Sequence, residues 1–169
     1  ELKMFNNRNI LTKTAILLAL TLIFQIGFNM FAQPIVGPLV NMMLIISTLI
    51  VGLVPAVIIG CLTPIIAFSV GIMPLLPLVP FIMIGNSILV ILFSYSRLKL
   101  KNYYTALIIG AFGKFAFLAI SVRYLLVYFV PKVPPKLVAA LSLPQLYTAL
   151  IGGFIALLVV KRLPFKTKK

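Results

Sequence analysis

Long apolar runs separated by short basic clusters make up nearly the whole of this chain, and that alternation leaves little room for any fold but a bundle of membrane-crossing helices. Fifteen Lys and Arg stand against one acid, Glu1, and 63% of the 169 residues are hydrophobic. With a mean hydropathy of +1.23, there is too little polar surface to cover a soluble globule of this size. A formal net charge of +14 would ordinarily suggest nucleic acid as a partner. The bases, however, form no stripe interleaved with surface aromatics, so no nucleic-acid partner is expected.

A helix needs about 20 apolar residues to cross ~30 Å of hydrocarbon. Six candidate stretches emerge, reading from Ile10 to Ala32, Leu39 to Leu53, Pro55 to Ile72, Val79 to Tyr95, Tyr103 to Val130 and Leu143 to Val160. The run Gln33-Pro34-Ile35-Val36-Gly37-Pro38 reads as a breaker before the second span, and the second and third spans are so close that they must form a tight hairpin. Proline-rich connections at 73 to 80 and 131 to 144 read as flexible loops. The fifth span is long enough to tilt or to project beyond the membrane. The first run has no small-residue cleavage pattern and reads as a retained span, not a signal peptide.

The bases test this division, because Lys and Arg collect in cytoplasmic loops. Lys3, Arg8 and Lys13 lie before or at the start of the first span, Arg97, Lys99 and Lys101 separate the fourth from the fifth, and Lys161, Arg162, Lys166, Lys168 and Lys169 follow the sixth. An even number of spans places all three clusters on one face and leaves Lys132 and Lys136 on the other. The expected fold is therefore an all-α integral membrane protein, a single domain over 1–169 with six transmembrane helices and both termini cytoplasmic. Five spans with 33 to 53 re-entrant is the alternative, but it would send the C-terminal cluster outside.

Between these clusters the chain contains no Asp, no Glu and no His. Proton-coupled pumps ordinarily carry an intramembrane acid or histidine. Metalloproteases need His, aspartyl proteases need paired carboxylates, and serine chemistry needs a base, yet no Ser lies three or four residues from Lys114. No GxxxxGK[ST] loop is present for ATP. The single cysteine, Cys61, sits in an apolar stretch and can form neither an intrachain disulfide nor a thiolate metal site. The chain is thus expected not to be an enzyme and to need no cofactor or metal. What remains is a membrane-embedded binding protein, a channel, or a subunit driven by partners.

Polar and ionisable groups within spans are the candidates for function, since burying them without a partner is costly. Lys114 lies ~15 Å along the fifth span at ~1.5 Å per residue, and no acid is available to pair with it. It faces a carbonyl, an amide, a lipid phosphate or a bound anion, or else it reaches back to the cytoplasmic interface. Arg123, nine residues on at ~100° per residue, falls on the opposite helix face and either contacts ligand or snorkels to headgroups. Asn86 is the leading candidate for substrate contact, joined by Asn29, Gln33, Asn41 and Gln145, all towards the outer side. Gln25 and Asn29 share one helix face. Asn and Gln also serve as hydrogen-bond links between helices, so each has that second reading. An acid-free pocket with a spare cation suggests a neutral or anionic ligand.

Several segments also carry a family likeness. These are Ala15-Ile16-Leu17-Leu18-Ala19, the stretch Gly52 to Gly71 with Pro55, Gly60, Pro64 and Ala67, and then Pro77-Leu78-Val79-Pro80-Phe81 and Gly85-Asn86. Together with the size and the six spans, they resemble the substrate-binding S components of energy-coupling factor (ECF) transporters. The resemblance covers nearly the whole chain and implies a multi-pass protein of the prokaryotic plasma membrane. It further implies capture of a vitamin or similar small molecule from outside and release inside by reorientation, with a transmembrane T component and two ATPase subunits as partners. On the same ground Ala15 and Ala19 are contacts with the T component. Their small-xxx-small spacing equally suits packing against another helix of this chain. A small-solute channel and a non-binding assembly subunit are the alternative functions. The channel would need a polar stripe continuing to the inner side.

Overall fold

In hydrocarbon a backbone amide finds no water, so an apolar run satisfies its own N–H and C=O groups by coiling. The computed structural model describes residues 2–29 and 33–162, the side chains of residues 2–7 and 33 excepted, and every apolar run in it is helical. The elements are α1 (Leu2–Gly27), α2 (Gln33–Ile50), α3 (Leu53–Ser69), α4 (Leu78–Leu100), α5 (Tyr103–Ile120), α6 (Pro135–Ala140) and α7 (Leu143–Arg162). A π-helical turn, Ser121–Leu125, and a 3-10 turn, Leu126–Tyr128, prolong α5. No strand occurs among the described residues.

Four segments are long and apolar enough to cross a bilayer by length and composition: Arg8–Gly27, Leu78–Leu100, Tyr103–Tyr128 and Pro135–Arg162. Pro34–Ile50 and Leu53–Ser69 are shorter apolar helices. At ~1.5 Å per residue each extends roughly 25 Å, just under the hydrocarbon thickness.

Two expectations are corrected. Residues 33–38 do not break the chain but form the start of α2. Pro34 is tolerated there because the first N–H groups of a helix have no intrahelical acceptor, and Pro38 inside the helix forgoes one bond, to the Pro34 carbonyl. The segment 131 to 144 is not simply a loop, since Pro135 opens α6 with its φ already helical.

The expected tight hairpin joins α2 to α3 through Gly52, whose φ of 97° and ψ of −177° suit glycine. At the α4–α5 turn Lys101 closes α4 in the left-handed region, φ 52°. Asn102 then caps α5, its side chain accepting from the backbone N–H of Tyr104 at 2.9 Å and of Thr105 at 3.2 Å.

Packing places α2 centrally, against α1, α3, α4 and α7, with α5 on α4 and α7. Leu44, Ile45, Leu49, Leu89 and Phe93 form the main core. Gly152 lets α7 lie directly on α2, for a Cβ there would overlap the Pro38 carbonyl oxygen. The helix α1 is the least enclosed: 11% of its apolar window is buried, against 44–50% for the other three long segments. The end of α1, the start of α2, the end of α3 and the starts of α4 and α7 gather at one pole of the bundle. Arg97, Lys99, Lys101, Lys161 and Arg162 lie at the opposite pole.

Candidate functional site

Lys114, in the twelfth position of α5, is 4% exposed and carries its charge into the interior of the bundle. Its Nζ donates to Asn41 Oδ1 on α2 at 2.7 Å and to Asn86 Oδ1 on α4 at 2.8 Å. Both asparagines are 2% exposed. Each is turned so that its oxygen faces the ammonium, and the amide nitrogens are held elsewhere. Asn86 Nδ2 donates to the Gly60 carbonyl at 2.9 Å, and Asn41 Nδ2 reaches Thr148 Oγ1 at 3.4 Å. The Thr148 hydroxyl in turn lies 3.4 Å from the Gln145 carbonyl. Five helices therefore converge on one cation.

Two neutral amide oxygens compensate a buried ammonium only in part, because a charge withdrawn from water costs several kcal/mol and ordinarily needs an opposite charge. The sole acidic side chain of the chain is Glu1, and no ion pair to Lys114 exists among the described residues. An ammonium has three N–H donors and two are engaged here, so one remains for an acceptor from outside the protein.

Lys114, Asn41 and Asn86 line a cavity of about 350 Å³ that lies between the helix ends at the pole opposite the basic clusters. Val36, Val40, Leu78, Ile82 and Leu141 give it aliphatic walls. The helix α6 adds Leu137 and Ala140. Amides ring the polar part, with Gln145 donating from Nε2 to the Ala140 carbonyl at 3.3 Å. A set of amides around an ammonium suits an organic or anionic ligand and would repel a metal cation.

Of the residues expected to contact substrate, Asn29, Asn41, Asn86, Lys114 and Gln145 all line this cavity. Asn29 is exposed at its mouth, just past α1. Gln25, on the same face of α1, also lines it, and the Gln25 Oε1 atom is buried without a donor. The side chain of Gln33 lies outside the described residues. Arg123 is not brought to the cavity. It sits exposed on the π-helical turn, where Nη1 donates to the Ala119 carbonyl at 3.0 Å, as its half-turn offset from Lys114 dictates. Ala15 and Ala19 are exposed on α1.

Three participants escape a reading of the sequence. Thr148 and Thr63 are short hydroxyls that normally bond their own helix backbone, and the Gly60 carbonyl has no side-chain signal at all. Thr148 does stand three residues from Gln145, on the same face of α7, and that spacing is the one signal that could have found it.

No curated protein and no solved structure matches the chain. The sequence pattern of one family, described as "ECF transporter, substrate-specific component", matches residues 9–164. Subunits of that family serve transport, binding a small-molecule substrate beside T and ATPase subunits, and do no chemistry on it. A cavity built from the ends of apolar helices around an unpaired cation is in keeping with such a role, and over residues 9–164 the chain belongs to the family of substrate-specific components of ECF transporters.

Proposed function

We propose that this chain is the high-affinity S component of an ECF-type importer, that it takes up a neutral or anionic vitamin or related small molecule, and that the cavity at Lys114 is its binding site. The observation that carries this reading is the Lys114 ammonium, buried on the cavity wall with one N–H unspent and no carboxylate among the described residues to neutralise it. The bundle crosses the membrane six times, with α2 and α3 as the short spans and both termini on the basic, cytoplasmic side. The cavity then opens outward. Beyond Lys114 the bundle is packed with Leu44, Leu49, Leu89 and Phe93, and the buried hydroxyls of Ser47 and Thr48 there bond their own helix backbone. That packing favours a closed binding site over a channel, which needs a continuous polar path.

Release to the inside requires the partners: the T component, docking on the exposed Ala15 and Ala19 face of α1, and the two ATPases that drive reorientation. A screen of water-soluble vitamins by thermal shift on the full chain in detergent tests the binding claim. Stabilisation by one ligand, lost in Lys114→Met, is expected. Absence of stabilisation by every compound would overturn it.

A further inference from the structure

The hydrogen-bonding groups of the cavity specify its ligand more closely than charge alone. The Gln145 amide has a fixed orientation, since Nε2 donates to the Ala140 carbonyl and only nitrogen can do so. Its Oε1 thereby becomes an acceptor with no donor among the described residues, and the Gln25 amide in the α1 wall, whose buried Oε1 also lacks a donor, offers a further polar group. Asn41 and Asn86 each turn the amide oxygen to Lys114 and one amide N–H to an acceptor within the protein. The unmet capacity therefore includes a donor on the Lys114 ammonium and an acceptor on Gln145 Oε1, with the Gln25 amide beside them. A complementary molecule presents an anionic oxygen at one end and an N–H or O–H along its body.

The walls define the rest of that body. Val36, Val40, Ile72, Leu78, Ile82 and Leu141 are branched aliphatics, and no Phe or Tyr lines the cavity among the described residues, although the chain has 13 Phe and 6 Tyr. Flat heterocycles are gripped by ring stacking beyond the area they bury, and the described walls offer none. Branched methyl groups instead match a saturated, three-dimensional chain by close packing.

We infer that the substrate is an aliphatic carboxylic acid bearing at least one hydroxyl or amide N–H, with its carboxylate on Lys114 and its donor on Gln145, and not a flat aromatic vitamin. This rests on the cavity being the substrate site. The test is thermal shift and calorimetry on the full chain in detergent with five probes. Pantothenate and biotin are saturated acids with hydroxyl, amide or ureido donors. Panthenol keeps the body of pantothenate and replaces its carboxylate by an alcohol. Nicotinate and 4-aminobenzoate are flat aromatic acids.

Binding of pantothenate or biotin is expected, with nicotinate and 4-aminobenzoate at least 100-fold weaker. If pantothenate binds, panthenol is expected to be weaker by ~10–100-fold, the range of a charge-assisted hydrogen bond. Gln145→Leu is expected to lower the affinity of whichever saturated acid binds by about tenfold. The panthenol comparison uses the wild-type chain and needs no variant to fold. Tightest binding by an aromatic acid overturns the aliphatic assignment and leaves the importer reading intact. Equal binding of pantothenate and panthenol overturns the anionic pole. No binding by any of the five overturns the assignment, and the broader vitamin screen then decides the importer reading separately.

Discussion

Lys114 Nζ and Asn86 Oδ1 lie 2.8 Å apart, and the same asparagine passes its Nδ2 to the Gly60 carbonyl at 2.9 Å, so that α3, α4 and α5 are tied through one ammonium. A structural link of this kind and a ligand-binding cation make opposite demands on stability. Burying an ammonium without a counter-charge costs several kcal/mol, and replacing it by an apolar side chain of similar length removes that cost. The replacement also leaves two amide oxygens unpartnered, at about 1–3 kcal/mol each. Lys114→Met is expected to hold the ligand-free protein within about 2 kcal/mol of wild type while abolishing anion binding. Unfolding in detergent measured without ligand, beside calorimetry with the ligand found by screening, checks both halves. A large loss of stability would mark Lys114 as a structural tie.

Placing a carboxylate next to the ammonium should compete directly with substrate. Asn41→Asp is the cleaner way to do so, because its other partner, Thr148 Oγ1 at 3.4 Å, is a hydroxyl that can rotate to donate to the new oxygen. Asn86→Asp would turn a carboxylate oxygen towards the Gly60 carbonyl, which has no proton to give. The expected outcome is a folded Asn41→Asp protein whose affinity for an anionic ligand falls ~10–100-fold, a charge-assisted hydrogen bond being worth about 1.5–3 kcal/mol. Asn86→Asp is expected to be less stable than Asn41→Asp. Thermal unfolding and titration of the two variants side by side provide the check.

Much of this site could be read from the sequence, because depth along an apolar run is a simple count. Asn41, Asn86, Lys114 and Gln145 stand out as polar interruptions, and the half-turn between Lys114 and Arg123 already separates those two cations. The pairing of Lys114 could not be read, as its acceptors are 73 and 28 residues away and are brought near only by the packing of α5 on its neighbours. The start of α2 was obscured for a different reason. Proline reads as a breaker, yet its missing N–H costs nothing in the first turn of a helix, and only the surrounding structure distinguishes these cases. The short α6 was hidden in the same way by Pro134 and Pro135.

Close approach of α7 to α2 depends on a missing side chain. A Cβ at Gly152 would overlap the Pro38 carbonyl oxygen and lie 2.9 Å from the Met42 backbone nitrogen, and backbone cannot step aside as a side-chain tip can. Gly152→Ala is expected to destabilise by roughly 1–3 kcal/mol or more, the cost of overpacking. Gly27, at the end of α1, meets nothing within 4 Å. Gly27→Ala is therefore expected to be neutral or to stabilise by about 0.5 kcal/mol through lost freedom of the unfolded chain. Paired unfolding curves of the two variants separate packing from intrinsic propensity, and equal effects would count against the tight α2–α7 contact.

The exposed face of α1 bears on the partner side of the proposed mechanism. Ala15 and Ala19 lie one helical turn apart and are exposed, while Leu17 and Thr21, 7% and 0% exposed, carry the contact of α1 with the bundle. Bulk added at the two alanines projects away from α2 and α3, so Ala15→Trp and Ala19→Trp should leave the fold and the cavity undisturbed. A docking helix, by contrast, needs small residues to approach a neighbour closely. The expected result is a split: ligand affinity and thermal stability of each variant within about twofold and ~0.5 kcal/mol of wild type, the usual range for surface substitutions, and loss of co-purification with the T component and ATPases. Intact assembly would move the docking surface elsewhere. Loss of ligand binding together with assembly would instead show that α1 leans on the cavity through Gln25 and Asn29, both of which line it from the same helix end.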